Sequence, residues 1–253
     1  LEKSRRIGKL SDALQGLKYL CSLKNMETHA DLIAGLPLYH LSEIFEDVRT
    51  LAEYGAGEIQ LESLKLLPGT EMRRRAEELG IQYSPLPPYE VLQTKEISVE
   101  ELQTAHYLSR LLDGFYNTPT WRSLTRTLIL DNPHFLQWLL DQLIHTDVID
   151  TPLNVEKRGL ILYNFCKNHY PDYVTQVSIA WIEAGMSLKK IPAEKVKTKR
   201  QVPPDNWEII YGSYRENLRL CFLPIDEAGH GYWFGFESEI QKIEPVFKAK
   251  RLS

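Results

Sequence analysis

The chain has 253 residues, 43% of them hydrophobic and 25% charged. That balance suits one large or two modest globular domains and needs no disulfide or metal staple to build a core. Thirty basic residues against thirty-four acidic ones give a net charge of −4 and a pI near 6.0, which argues against nucleic acid as the main partner. No apolar run approaches the roughly 20 residues that cross a bilayer, and no secretory signal opens the chain. The cysteines, Cys21, Cys166 and Cys221, are odd in number and far apart. A disulfide framework is therefore not expected, and a reducing cytoplasm is the expected compartment. The chain opens on Leu1-Glu2-Lys3 without an initiator Met and reads as a piece of something longer.

The first eighty residues alternate helix and strand. Leu14, Leu17, Leu20 and Leu23 recur every three residues after Ser11-Asp12, as a helix requires. His29 to Gly35 is short, apolar and ended by Gly35-Leu36-Pro37, which predicts a buried strand and its turn. Leu41, Ile44, Phe45, Val48 and Leu51 form one helical stripe closed by Gly55 and Gly57. A second strand is expected over 58–67, broken by Pro68-Gly69, with a helix over 71–79 covering it. The crossover helix is too long for a hairpin, so the two strands should be parallel neighbours.

From Tyr83 to Ser98 the periodicity stops, and prolines mark a connector. Ser98-Val99-Glu100-Glu101 is a capping box that opens a helix to about Tyr116. Further helices are predicted over 119–130, 133–145 with Asn132 as cap, 154–170 and 171–184, the last ended by Gly185. The tail then turns polar and basic (Lys189, Lys190, Lys195, Lys197, Lys199, Arg200). Three aromatic and β-branched runs follow, 207–214, 218–225 and 231–236, simplest as a three-stranded antiparallel meander. The fold class is therefore α+β: an α/β unit over 1–82, which the family likeness given below makes a partial (β/α) barrel remnant, then a linker over 83–97, a helical domain over 98–186, and a basic linker with a small antiparallel sheet over 187–253.

Few residues announce chemistry by spacing. There is no Cys-x-x-Cys, no Gly-rich dinucleotide or phosphate loop, and no nucleophile elbow. His134 and His145 share a predicted helix but lie eleven apart without a carboxylate at metal-ligand spacing. Cys166, between Phe165 and Lys167, reads as a small core residue. Asp226 to His230 reads as a hairpin turn. The six cations of the basic linker could track a phosphate backbone, but interspersed prolines and no aromatic stacking platform favour a solvated connector. The competing class is a non-catalytic interaction or RNA-binding accessory module, with the helical and meander region binding RNA, a protein or a substrate carrier.

One stretch carries a family likeness. Asp31-Leu-Ile-Ala-Gly-Leu-Pro37 resembles the fifth-strand motif of radical S-adenosylmethionine (SAM) enzymes, and Leu64-Lys-Leu-Leu-Pro-Gly-Thr70 resembles the sixth-strand motif that follows it. Pro87-Pro-Tyr-Glu-Val-Leu92 and Phe115-Tyr-Asn117 are similar to the continuation in cobalamin-binding-domain radical SAM proteins of the anaerobic magnesium-protoporphyrin IX monomethyl ester cyclase type. The resemblance spans about residues 5–117. It implies the last part of a radical SAM barrel and an appended domain, from an enzyme that cleaves SAM reductively with a 4Fe–4S cluster and abstracts hydrogen from a substrate the sequence does not name. Whether cobalamin takes part stays open.

By the same resemblance, Asp31 would contact the ribose or amino group of SAM, Gly35 and the backbone near Leu67 would line the adenine, and Arg5 would pair with the carboxylate, with Arg6 as the alternate register. Asp31 can equally be a strand-end carboxylate satisfied by a helix N-terminus, and Gly35 can simply serve a tight turn. Leu38, Tyr39 and His40 stand where the family carries Gly, Glu or Gln, and Thr. The Cys-x-x-x-Cys-x-x-Cys cluster motif belongs to an earlier strand, so the expected partners are upstream cluster and cobalamin domains, and the isolated chain is expected to bind no cofactor and to be inactive. The free edge of the strand ending at Ala34 should be covered by a second copy of the chain.

Overall fold

The structure is a computed structural model that describes residues 10–23, 25–193, 197–199, 207–226, 228–237 and 244–251. It is a mixed α+β chain that divides into two compact units, residues 1–152 and 153–253. The division falls inside the helical stretch 98–186 that the periodicity presents as one piece, since helical spacing says nothing about which helices share a core.

In the first unit, α1 (Leu10–Cys21), β1 (His29–Ala34), α2 (Leu41–Tyr54) and β2 (Glu58–Ser63) follow in order. β1 and β2 pair in parallel, from His29 opposite Glu58 to Ala34 opposite Ser63. The crossover α2 buries Ile44, Val48, Leu51 and Ala52, the stripe read from the sequence, and Gly55 ends it in the left-handed region at φ 87°. β2 stops four residues earlier than expected. Beyond it the chain leaves β1 and bonds to the later segment: the Leu66 amide donates to Tyr89 and the Val91 amide to Leu64.

The helix expected over 71–79 is two short ones, α3 (Glu71–Arg74) and α4 (Ala76–Leu79). They break at Arg75 (φ −102°, ψ 11°), which lets Ala76 and Leu79 turn into the core. The proline-rich connector is ordered by β3 (Gln82–Tyr83) and β4 (Val91–Gln93), an antiparallel pair, around a cis Pro87–Pro88 bond.

The capping box forms as predicted: the Ser98 hydroxyl accepts from the Glu101 amide and the Glu101 carboxylate accepts from the Ser98 amide at 2.8 Å. It starts α5 (Val99–Leu111), which runs into a π-helical turn over Leu112–Tyr116. α6 (Pro119–Asp131) and α7 (Phe135–His145) complete the unit. α7 begins two residues later than the sequence suggests, because the Asn132 carbonyl and side chain accept from the Phe135 and His134 amides in a turn before the helix. α2 and α6 clamp each other's ends. Arg126 donates to the carbonyls of Ala52 and Glu53, and Arg49 donates to those of Ile129 and Leu130, supplying donors to terminal carbonyls that lack helical partners.

In the second unit, α8 (Val155–His169) is capped by Asn154, whose side chain accepts from the Lys157 amide. A 3₁₀ turn over Pro171–Tyr173 leads into α9 (Val174–Glu183). Among the described residues five strands follow: β5 (Lys197–Lys199), β6 (Trp207–Tyr211), β7 (Arg219–Pro224), β8 (Gly231–Phe236) and β9 (Phe247–Arg251), arranged β5-β7-β8-β9-β6.

The tail therefore differs from a β6-β7-β8 meander. The meander is β7-β8-β9, and β6 pairs with β9 instead of β7, a Greek-key connection. The sequence hides β9 because Phe247-Lys-Ala-Lys-Arg251 turns only Phe247 and Ala249 inward. The sheet carries apolar side chains on both faces. Cys221, Leu223, Phe234 and Phe236 pack with Ile182 of α9, while Leu218, Leu220, Trp233, Phe247 and Ala249 gather on the other side with Trp207. The Lys248 ammonium, 2.6 Å from the Glu183 carboxylate, ties α9 to the sheet.

Candidate functional site

Ligands of α/β units gather at the carboxyl ends of parallel strands. Here those ends are the β1–α2 turn, residues 35–40, and the β2–α3 turn, residues 64–70. Partners in a parallel register point to the same face of the sheet. Ala30, Leu32 and Ala34 therefore share a face with Ile59 and Leu61, and Ala34, Ile59 and Leu61 are buried. The opposite face presents His29, Asp31 and Ile33 beside Glu58, Gln60 and Glu62. Of these, Asp31, Gln60 and Glu62 are exposed, and His29 Nδ1 lies 2.9 Å from the Glu58 carboxylate. One face is core, and the other is open and polar.

Asp31 projects from that open face, and among the described residues no helix N-terminus, cation or hydroxyl holds its carboxylate. Gly35 is buried at φ 89°, and a Cβ there would come within 3.3 Å of Val91 and 3.6 Å of Leu102. The left-handed backbone and the neighbouring side chains together account for the glycine. Leu67 is 53% exposed. Its carbonyl accepts from the Thr70 amide and, at 2.8 Å, from the Thr70 hydroxyl, so it is committed to the turn. Arg5 and Arg6 lie outside the described residues. The structure thus brings Asp31, Gly35 and Leu67 to one unit, with Asp31 on the open face, Gly35 in the core and Leu67 at the strand-end surface.

The three residues that depart from the family pattern sit in different surroundings. Leu38 sits in the left-handed region at φ 61° and is 56% exposed, a costly conformation for a side chain with a Cβ. The Tyr39 hydroxyl donates to Asp47 at 2.6 Å; burial and that carboxylate push its pKa well above the ordinary tyrosine range. The His40 amide donates to Glu43, and its ring Nδ1 lies 3.0 Å from the Glu96 carbonyl.

Asn117 is the residue whose role the sequence left unread. Its side-chain oxygen accepts from the Ile59 amide at 2.9 Å and its nitrogen donates to the Ile59 carbonyl at 3.0 Å, so it closes the outer edge of β2 as a strand would. The π-helical turn carries it there, together with Tyr116, whose hydroxyl donates to the Ala56 carbonyl at 2.7 Å. β1's outer edge has no strand against it among the described residues.

The other candidates resolve into structure. The His134 ring stacks on Trp138, and among the described residues no group of His, Cys, Asp and Glu could hold a metal ion. Cys166 and Cys221 are buried, and burial pushes both thiols up to about 12. Asp226 accepts from the backbone and ring of His230 across the β7–β8 turn, and those contacts hold its carboxyl below the usual range. Of the basic linker, Lys190 pairs with Glu156 at 2.7 Å, while Lys195 and Arg200 lie outside the described residues. No described helix is long and apolar enough to cross a membrane.

Comparison with known proteins gives one family. Residues 77–136, from α4 through the start of α7, are similar to a family described as a protein of unknown function, DUF4080. No curated protein matches the chain.

Proposed function

We propose that this chain is the carboxyl-terminal portion of a radical SAM enzyme, with β1-α2-β2 as the last part of its barrel and the following helices as an appended domain. The observation that carries this reading is the one-sided β1–β2 pair. α2 and the later helices cover one face; the other is polar and open, with Asp31 on it, and the edge of β1 has no strand beside it among the described residues. A strand pair inside a closed barrel is exposed in this way once its neighbours are taken out of view. The match over 77–136 supports the reading, since that family is associated with radical SAM and cobalamin proteins. Asp31 is then a SAM contact, with Gly35 and the backbone near Leu67 shaping the adenine side. Arg5 is assigned to the carboxylate by resemblance alone.

The residues described here do not fit the 4Fe–4S cluster. Cys166 and Cys221 are buried in the second unit, Cys21 sits at the end of α1, and no cluster-like grouping exists among the described residues. The proposal places the cluster ligands, and any cobalamin domain, upstream in a longer protein. There the cluster would supply the electron that cleaves SAM, and hydrogen would be taken from a substrate not yet named.

The test is the coding sequence upstream of Leu1 together with the anaerobically purified longer protein. A Cys-x-x-x-Cys-x-x-Cys motif and release of 5′-deoxyadenosine from SAM on reduction are expected. A longer protein without the motif, or one releasing no 5′-deoxyadenosine, overturns the reading. The 253-residue chain alone should show no SAM binding by calorimetry at micromolar ligand, because the cluster that anchors SAM is not held by these residues. Tight binding would mean that the site is complete within the chain.

A further inference from the structure

We propose that Arg73 is an oxyanion-binding residue, presenting its guanidinium to the carboxylate or phosphate group of a small ligand at the carboxyl end of β2. The inference stands on the geometry of residues 64–91 and does not depend on the cofactor reading. Arg73 lies on α3, directly after the β2–α3 turn. Its guanidinium carbon is 4.7 Å from the ring centroid of Tyr89 and 5.1 Å from that of Tyr83. One terminal nitrogen donates to the Leu66 carbonyl at 3.0 Å. The Leu66 amide in turn donates to the Tyr89 carbonyl, so strand end, arginine and tyrosine are tied together.

Ring contacts of this kind cover the face of a guanidinium, whereas its five N–H donors lie in its plane. One donor is used by Leu66, and among the described residues no other acceptor takes the rest. Neighbouring cations are compensated: Arg75 forms a double hydrogen bond with Glu78 and approaches Glu71, and Lys65 pairs with Glu62. Arg73 and Arg74 have no carboxylate partner among the described residues. Beside them the Pro68-Gly69-Thr70 turn is open, since a Cβ on Gly69 would meet nothing within 4 Å.

An arginine needed only to bridge α3 to the β3–β4 segment would gain by pairing with a nearby carboxylate. This one is fixed in orientation with only one donor of its fork engaged, the arrangement that lowers the entropic cost of gripping an oxyanion through two parallel bonds. Nothing in the sequence singled it out, because Met72-Arg73-Arg74-Arg75 reads as a solvated charge run and the two tyrosines sit in an aperiodic stretch.

The experiment follows the arginine Nε–H resonances of the ¹⁵N-labelled 253-residue chain. It is titrated separately with inorganic phosphate and with acetate, and with sodium chloride at matched ionic strength. A saturable shift of Arg73 with phosphate or acetate, absent with chloride and absent at Arg75, is expected, and the anion that saturates first identifies the ligand's group. Arg73→Lys keeps the charge but loses the fork and should bind that anion about tenfold more weakly. No saturable shift at Arg73, equal shifts at Arg73, Arg74 and Arg75, or undiminished binding by R73K would overturn the proposal. If R73K does not fold, the titration of the unaltered chain decides alone.

Discussion

Asn117→Ala tests how the first unit closes the outer edge of β2. Ile59 is 1% exposed, and both its amide and its carbonyl are satisfied by the Asn117 side chain. Alanine removes both partners at once. A buried backbone group left unsatisfied costs about 1–3 kcal/mol. The two bonds are only partly buried, so water recovers some of that loss, and the expected destabilisation of the unit is about 2–4 kcal/mol. For a unit of this size that lowers its melting temperature by roughly 4–16 °C. Hydrogen exchange at the Ile59 amide isolates the first unit from the second: its protection should fall with the global loss, and Asn117→Asp should do little better, because a carboxylate cannot donate to the Ile59 carbonyl. A loss below about 0.5 kcal/mol with an unchanged Ile59 exchange rate would show that the edge needs no partner, and the strand-mimic account would be withdrawn.

Leu38→Gly should raise the stability of the first unit by about 0.5–1 kcal/mol in urea unfolding, the relief of left-handed strain less the extra chain entropy of glycine; a loss would mean that the Leu38 side chain contributes packing worth more than the strain. Arg126→Ala should cost about 1–2 kcal/mol through its bonds to the end of α2, and Arg49→Ala a similar amount at the end of α6; no loss from either would refute the mutual clamp. The Cys166 and Cys221 thiols are held neutral, with pKa values raised to about 12 against about 8.5 in an unfolded chain. Their contribution is full below that unfolded value and is lost as pH climbs toward the folded one. Native protein at pH 8 should leave both unalkylated by iodoacetamide, and stability should decline across the alkaline window; rapid alkylation of either would contradict its burial.

Periodicity and punctuation carried most of the first unit. The α2 stripe, the Ser98 capping box and the parallel strands each follow from local rules, and each is found where those rules put it. What escaped was decided at a distance. Glu71 to Leu79 has a helix's composition, yet the chain breaks at Arg75 to turn Ala76 and Leu79 inward. The strand order of the tail depends on Phe247 and Ala249, two apolar residues among three cations, meeting Gly235 and Trp233 across a register that no local pattern encodes. The division at residue 152 is likewise a property of contacts, and helical spacing carries no trace of it.

The site residues separate by environment in a way that their shared motif conceals. Asp31 and Gly35 lie four residues apart in one motif, and both read as ligand contacts by resemblance. Gly35 is accounted for by the fold itself: its φ of 89° strains any residue with a Cβ, and Val91 would have to give way to one, whether or not a ligand ever arrives. Asp31 is the reverse case. A carboxylate on an open strand face, with no cation, helix end or hydroxyl beside it among the described residues, is explained by nothing within the unit. Leu38 belongs with it, since a strained and exposed leucine beside a glycine turn lowers the stability of the isolated fold. Residues that the fold itself does not require are where function has to be sought. On that criterion Asp31, Leu38 and the remaining donors of Arg73 stand ahead of Gly35, although the glycine belongs to the more recognisable pattern.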